Sequence, residues 1–223
     1  MLFLSAAKGA AAHRGRKSWI AFSCLIALGA SGNAQADGWK TAMLDEGRIS
    51  VQYRISERRT QSGDTVPLIE DITTTLADVS MRDCVALMKD PSRHKDFMGD
   101  FSSESIKAIS DNEWLVYYYT KNPWPIPDSD CVAIMTCTED AERGTVVFTL
   151  SAAPEMAESR KVKRMSYYDV RYSFKDRGNG SVEIVVSGRS SPPVEVPRWM
   201  IMSAFPGAPA DGVRKLIKSA NAM

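Results

Sequence analysis

Lys121-Asn122-Pro123-Trp124-Pro125-Ile126-Pro127-Asp128-Ser129-Asp130 is the stretch on which the reading of this chain turns. Pro123, Pro125 and Pro127 fix φ and remove three backbone donors, so it cannot lie inside a regular strand or helix. β-rich runs flank it, Glu113–Thr120 before and Cys131–Thr138 after, which makes it a stiff corner between two strands. Trp124, held between two prolines, is expected to help close one end of the core. Asp128 and Asp130 are expected to cap the turn by accepting backbone N–H groups.

Outward from the corner the chain reads as strand after strand. Downstream, Asp130–Thr138 and Thr145–Ser151 are separated by the charged segment Glu139–Gly144. Met165–Phe174 alternates, with Tyr168, Val170, Tyr172 and Phe174 on one face. Arg177-Gly178-Asn179-Gly180 is a hairpin turn leading to Val182, Ile184 and Val186. Upstream, Phe101–Ile109 pairs with Glu113–Thr120 across Ser110-Asp111-Asn112. Ile49, Val51, Tyr53 and Ile55 alternate with polar residues, and Leu68–Leu76 supplies the partner strand.

Helices are few. Trp39–Leu44 is expected to form a short first helix. Asp78 or Ser80 caps a second, with Met81, Cys84, Val85 and Met88 on its buried face and Pro91 stopping it. Val196–Ala220 is the longest candidate, kinked at Pro206-Gly207-Ala208-Pro209. One helix covers a width of only ~10–12 Å, whereas about eight strands at ~4.8 Å each are far wider. The sheet must therefore curl around the helix. The expected fold is α+β: a curved antiparallel sheet of about eight strands wrapped around a long C-terminal helix, with an internal apolar cavity.

This arrangement resembles the helix-grip fold of START-type lipid-transfer domains, in the wider group of birch-pollen-allergen-like proteins. The resemblance rests on Trp39, on Gly47-Arg48-Ile49-Ser50-Val51, and above all on Pro123-Trp124-Pro125 followed by Asp128-Ser129-Asp130-Cys131-Val132. Val162-Lys163-Arg164 and Val196-Pro197-Arg198-Trp199-Met200 resemble later landmarks. Ser129 stands where the family usually has Arg, and Phe97 where it often has Trp. Met135 falls where some sterol-binding members carry a buried Arg, which implies a more apolar pocket here. The resemblance spans about residues 38–220 and implies binding of a lipid or other hydrophobic small molecule, with no cofactor.

Residues 1–36 read as a signal peptide and 37–223 as the folded domain. Arg14, Arg16 and Lys17 precede the apolar run Trp19–Ala30, and Ala34-Gln35-Ala36 offers a cleavage site before Asp37. That run is about 12 residues, shorter than the ~20 a spanning helix needs. A periplasmic or secreted protein is expected. Without Lys8, Arg14, Arg16 and Lys17 the chain keeps 24 of its 28 basic residues against 27 acidic ones, a net of −3. This balance argues against nucleic acid as a partner; the expectation is a monomer that touches a membrane surface transiently.

Chemistry is sparse. His94 is the only histidine of the domain and is expected to be exposed in its charged loop. There is no Gly-x-Ser-x-Gly, phosphate-cradling loop or Cys-x-x-Cys. Cys84, Cys131 and Cys137 read as buried small residues. The remaining signal is apolar: Trp114, Tyr117, Tyr119, Met135, Phe148, Tyr168, Tyr172, Trp199 and Met202 are the expected ligand contacts, with Ser203 as a polar anchor. The gate would be the C-terminal helix, bent near Pro206-Gly207. A non-catalytic binder and carrier is the leading expectation. An enzyme of cyclase, isomerase or hydrolase type, working through Asp130 and His94, is the second. An envelope adaptor using a sheet edge or the Ala152–Lys163 loop is the third.

Overall fold

Alternation along the strands carries through to the observed architecture. The computed structural model describes residues 38–223 except Phe101, Pro123 and Pro125, so the signal-peptide reading of residues 1–36 lies outside the described residues. In chain order the elements are β1 (Lys40–Leu44), β2 (Ile49–Arg59), β3 (Thr65–Asp78), α1 (Met81–Met88), α2 (Lys95–Met98), β4 (Ser102–Ser110), β5 (Glu113–Thr120), β6 (Ser129–Asp140), β7 (Thr145–Ala152), β8 (Lys163–Arg164), β9 (Tyr168–Gly178), β10 (Ser181–Ser190), α3 (Arg198–Ala204) and α4 (Gly207–Ala220). Nine strands form one antiparallel path, β1-β2-β3-β10-β9-β7-β6-β5-β4, and β8 joins β6 in parallel. The chain is thus α+β, a large curved antiparallel sheet closed by C-terminal helix, as expected.

Three local readings are corrected. Trp39–Leu44 contributes a strand, β1, because its backbone pairs with β2 from Lys40↔Tyr53 to Leu44↔Ile49; tertiary pairing overrides the helical propensity of Lys, Ala, Met and Leu. The long C-terminal helix is two helices, separated by extended backbone at Phe205 (φ −98°, ψ 143°) and a cis Phe205–Pro206 bond. Nor does that helix cover the sheet alone. Cys84, Leu87 and Met88 of α1 and Phe97 and Met98 of α2 share one core with Leu216 and Ala220 of α4.

Local chemistry explains the joints. Ser80 caps α1 by accepting from the Asp83 amide at 3.4 Å. At the β9–β10 hairpin Asn179 and Gly180 have φ of 55° and 76°, the positive pair that a two-residue turn matched to strand twist requires. Arg214 on α4 forks onto both carboxylate oxygens of Asp45 at 2.8 Å, fixing the helix to the β1–β2 turn.

The Pro-rich corner is held from within. The Asn122 amide donates to Asp128 Oδ1 at 3.0 Å, and its side chain donates to Pro127 O at 2.6 Å and to Ser129 Oγ at 3.2 Å. Asp128 therefore caps the turn as expected. Asp130 does not. Fully buried, it takes the Arg164 guanidinium in a two-pronged pair, Nε–Oδ1 3.0 Å and Nη2–Oδ2 2.7 Å. The same guanidinium donates to the carbonyls of Pro154, Ala157 and Glu158, so the 153–164 segment is strapped across the outer face of β5 and β6. Trp124 closes nothing: it is 93% exposed.

Candidate functional site

Strand register decides which side chains can meet a ligand. One row of the inner face runs Tyr53, Asp71, Gly188, Val170, Leu150, Met135 and Trp114 across β2, β3, β10, β9, β7, β6 and β5. Within it Asp71 is the only ionisable carboxyl. Trp114, Met135, Phe148, Tyr168 and Tyr172 do face the interior and are buried there, in the main core.

Tyr117 and Tyr119 do not. They lie on the outer face with Leu115, Val132 and Ile134, and the Arg160 guanidinium stacks over Tyr117 at 3.8 Å. β5 is apolar on both faces because the strap covers its outside, so alternation could not reveal its parity. Tyr118, between them, is the inward residue. Trp199 is 68% exposed, and Ser203 is exposed with its hydroxyl donating to the Met200 carbonyl of its own helix at 2.8 Å. Met202 is half-buried. Neither Trp199 nor Ser203 serves as an interior contact: four residues apart, they share the solvent face of α3, while Ile201 and Ala204 take its buried face.

Two clefts follow one another along the inner face of β3 and β10. The outer one, a narrow cleft of about 40 Å³, lies between the Pro-rich corner, the Pro192-Pro193 turn and α3. Ile69, Met165, Val196, Met200 and Ile201 supply its apolar wall, and Thr120, Asn122, Ser129 and Ser190 its polar points. No charged residue lines it among the described residues. The inner one, of about 20 Å³, lies between the sheet and α4 and is bounded by Asp71, Thr73, Phe97, Tyr172, Val213 and Leu216. Most of these positions escaped the sequence reading. The available signal was β3 itself, where Ile69, Asp71, Thr73 and Thr75 share one face and two of them belong to the buried core side despite their polarity.

The interior polar groups are set by burial. His94 is fully buried, not exposed: Nε2 donates to the Met88 carbonyl at 2.9 Å, so Nδ1 must accept from the Tyr118 hydroxyl at 2.8 Å. Burial lowers the imidazole to about 4, which keeps it neutral. Burial pushes Asp71 up to about 7, and Asp100 to about 6 although the Thr120 hydroxyl donates to it at 2.6 Å. Cys84, Cys131 and Cys137 are buried, as expected, their thiols are free, and burial pushes Cys84 and Cys131 up to about 12. No three His, Cys, Asp or Glu side chains come together as a metal set among the described residues.

This architecture has known counterparts. No protein-family model matches the chain. An uncharacterized protein of Pseudomonas aeruginosa is 24% identical over 194 residues, covering 86% of this chain and 92% of that protein. A STAR-related lipid transfer protein from Xanthomonas axonopodis superimposes with a TM-score of 0.69 at 22% identity, over 83% of this chain and 99% of that one. Human StAR-related lipid transfer protein 5 superimposes with a TM-score of 0.63 at 15% identity, over 85% and 89%. An aromatase/cyclase from Streptomyces sp. R1128 reaches a TM-score of 0.50 at 7% identity, over 69% and 94%. The chain has the START-type helix-grip fold.

Proposed function

We propose that this protein binds a lipid or other hydrophobic small molecule in the space between its sheet and its C-terminal helices and carries it without changing it covalently. The observation that carries the reading is the outer cleft, an opening between the corner and α3 with an apolar wall and no charged lining residue. Hiding an alkyl chain there is worth about 0.8 kcal/mol per CH₂. The inert reading of Asp130 and His94 supports binding over catalysis: one is held by Arg164, the other is bonded at both ring nitrogens, and neither lines these clefts. Organic extraction of the purified chain followed by mass spectrometry should yield one reproducible class of lipid. Finding none, together with no uptake of the apolar dye N-phenylnaphthylamine, would sink the proposal.

We propose further, from the signal-peptide reading of residues 1–36, that the protein works outside the cytoplasm, as a monomer that loads and unloads at a membrane surface. Trp124 lies two residues from the cleft-lining Asn122, and Trp199 adjoins the cleft-lining Met200. Both indoles are in water, at 93% and 68% exposure, where an interfacial headgroup layer would accept them. The double substitution Trp124→Ser and Trp199→Ser should weaken co-sedimentation with phospholipid vesicles about tenfold or more. It should change unfolding free energy by no more than about 0.5 kcal/mol, as for exposed positions generally. Unchanged vesicle binding would remove the aromatic docking edge.

A further inference from the structure

Asp71 and Thr73 are anomalies in an interior built from apolar side chains. They sit two apart on the inner face of β3, Asp71 directly across from Gly188 and Thr73 across from Val186. The Thr73 hydroxyl is the buried side-chain polar atom without a hydrogen-bond partner among the described residues. Asp71 forms no hydrogen bond or ion pair with any described residue. Opposite it, a Cβ at position 188 would come within 3.2 Å of its Oδ1, so the glycine leaves the carboxyl its space. A buried polar group without a partner costs about 1–3 kcal/mol, so the buried Thr73 hydroxyl, beside the half-buried Asp71 carboxyl at the edge of a cleft, leaves an interaction to be completed from outside the chain.

We propose that Asp71 and Thr73 are the polar anchor for the bound molecule and select a long apolar ligand that ends in a hydrogen-bond donor, an alcohol or an amine, and reject one that ends in an acid. This rests on the carrier reading above. Asp71 and Thr73 line the inner cleft, and Ile69, two residues earlier on the same face, lines the outer one. A ligand entering head-first past α3 would therefore leave its chain against Ile69, Met200 and Ile201 while its head reaches Asp71. Among the described residues no Lys or Arg lines either cleft, so none of them offsets an entering negative charge. The second carboxyl, Asp100, lies close enough that both acids hold the Tyr172 phenol above its usual range, after burial itself. A fatty acid carboxylate in this end of the cavity would face two acids and no base. A hydroxyl or an ammonium group would instead donate to Asp71 Oδ and could accept, if a hydroxyl, from Thr73 Oγ1.

The test uses the full domain and four molecules with one C16 tail: hexadecanol, hexadecylamine, palmitate and hexadecane, each competing with N-phenylnaphthylamine. In the native protein hexadecanol or hexadecylamine should displace the dye at least about tenfold better than palmitate or hexadecane, the worth of a hydrogen bond to a charged group. Tightening by the amine alone identifies an ion pair, and by both donors a hydrogen bond. Asp71→Val should bring all four within about threefold while dye binding persists, and Thr73→Val should weaken hexadecanol selectively. Asp71→Asn, which keeps an acceptor, should lose the amine preference first. If palmitate competes as well as hexadecanol, or if Asp71→Val leaves the order of the four unchanged, the anchor is overturned while the carrier stands. If the native domain takes up neither dye nor any of the four, both fall.

Discussion

Arg164→Ala should cost the fold about 3–5 kcal/mol, read as a fall in the urea midpoint at unchanged slope. The guanidinium bonds both oxygens of Asp130, which is fully buried, and it also satisfies the carbonyls of Pro154, Ala157 and Glu158. Removing it leaves a buried negative charge and an untied strap in one step. Against a typical domain stability of about 5–15 kcal/mol this is a large fraction. Replacing both partners together, Asp130→Leu with Arg164→Leu, should recover part of the loss, because the penalty of the single change lies mainly in the orphaned carboxylate. A cost below about 1 kcal/mol for Arg164→Ala would mean the pair behaves as an exposed ion pair, and the strap would not depend on it.

Acid should unfold the native domain through His94. Its folded value lies near 4, below the ordinary 6.5, so the fold favours the neutral ring. The corresponding stability is present above pH 6.5 and is lost as the pH falls toward 4, amounting to about 2–3 kcal/mol over that span at 1.36 kcal/mol per unit. Asp71 and Asp100 act with the opposite sign. Their folded values are raised to about 7 and about 6, so what they contribute is present in acid and lost as the pH rises through those values. The clean measurement is a comparison with His94→Gln, in which both carboxyls remain. The stability advantage of the native protein over this variant should shrink by about 2–3 kcal/mol between pH 7 and pH 4. A difference that does not change with pH would show that the imidazole is not held neutral in the core.

Much of the framework was legible because it is local. The alternation of Ile49, Val51, Tyr53 and Ile55, the Asn179-Gly180 turn and the Ser80 cap each lie within a few residues of what they determine. The site was less legible because its determinants are distant in sequence or hidden by coverage. Asp130 is 34 residues from Arg164, and no periodicity links a turn acid to a base on a two-residue strand. His94 sits among Arg93, Lys95 and Asp96, yet its own ring turns inward to Met88 and Tyr118, which a charged neighbourhood conceals. On β5 the run Trp-Leu-Val-Tyr-Tyr-Tyr is apolar on both faces, so the parity that separates Tyr118 from Tyr117 and Tyr119 depends on a strap that arrives forty residues later. Trp124 and Trp199 looked like core by size alone; their exposure moves them from the lining of the cavity to its rim.

The three unpaired thiols among the described residues put a clock on this fold. Cys84 stands on α1, and Cys131 and Cys137 on β6, all sealed beneath the helices or within the sheet. In the oxidising setting we propose, each is vulnerable only while the chain is open, since burial raises all three thiols, Cys84 and Cys131 to about 12, and leaves little thiolate to an oxidant. Folding must therefore outrun oxidation, and after it has done so every reappearance of a reactive sulfur marks a moment when the cover has lifted. Thiol-labelling rates would time that breathing directly, with Cys84 reporting the helices and Cys137 the far end of the strand.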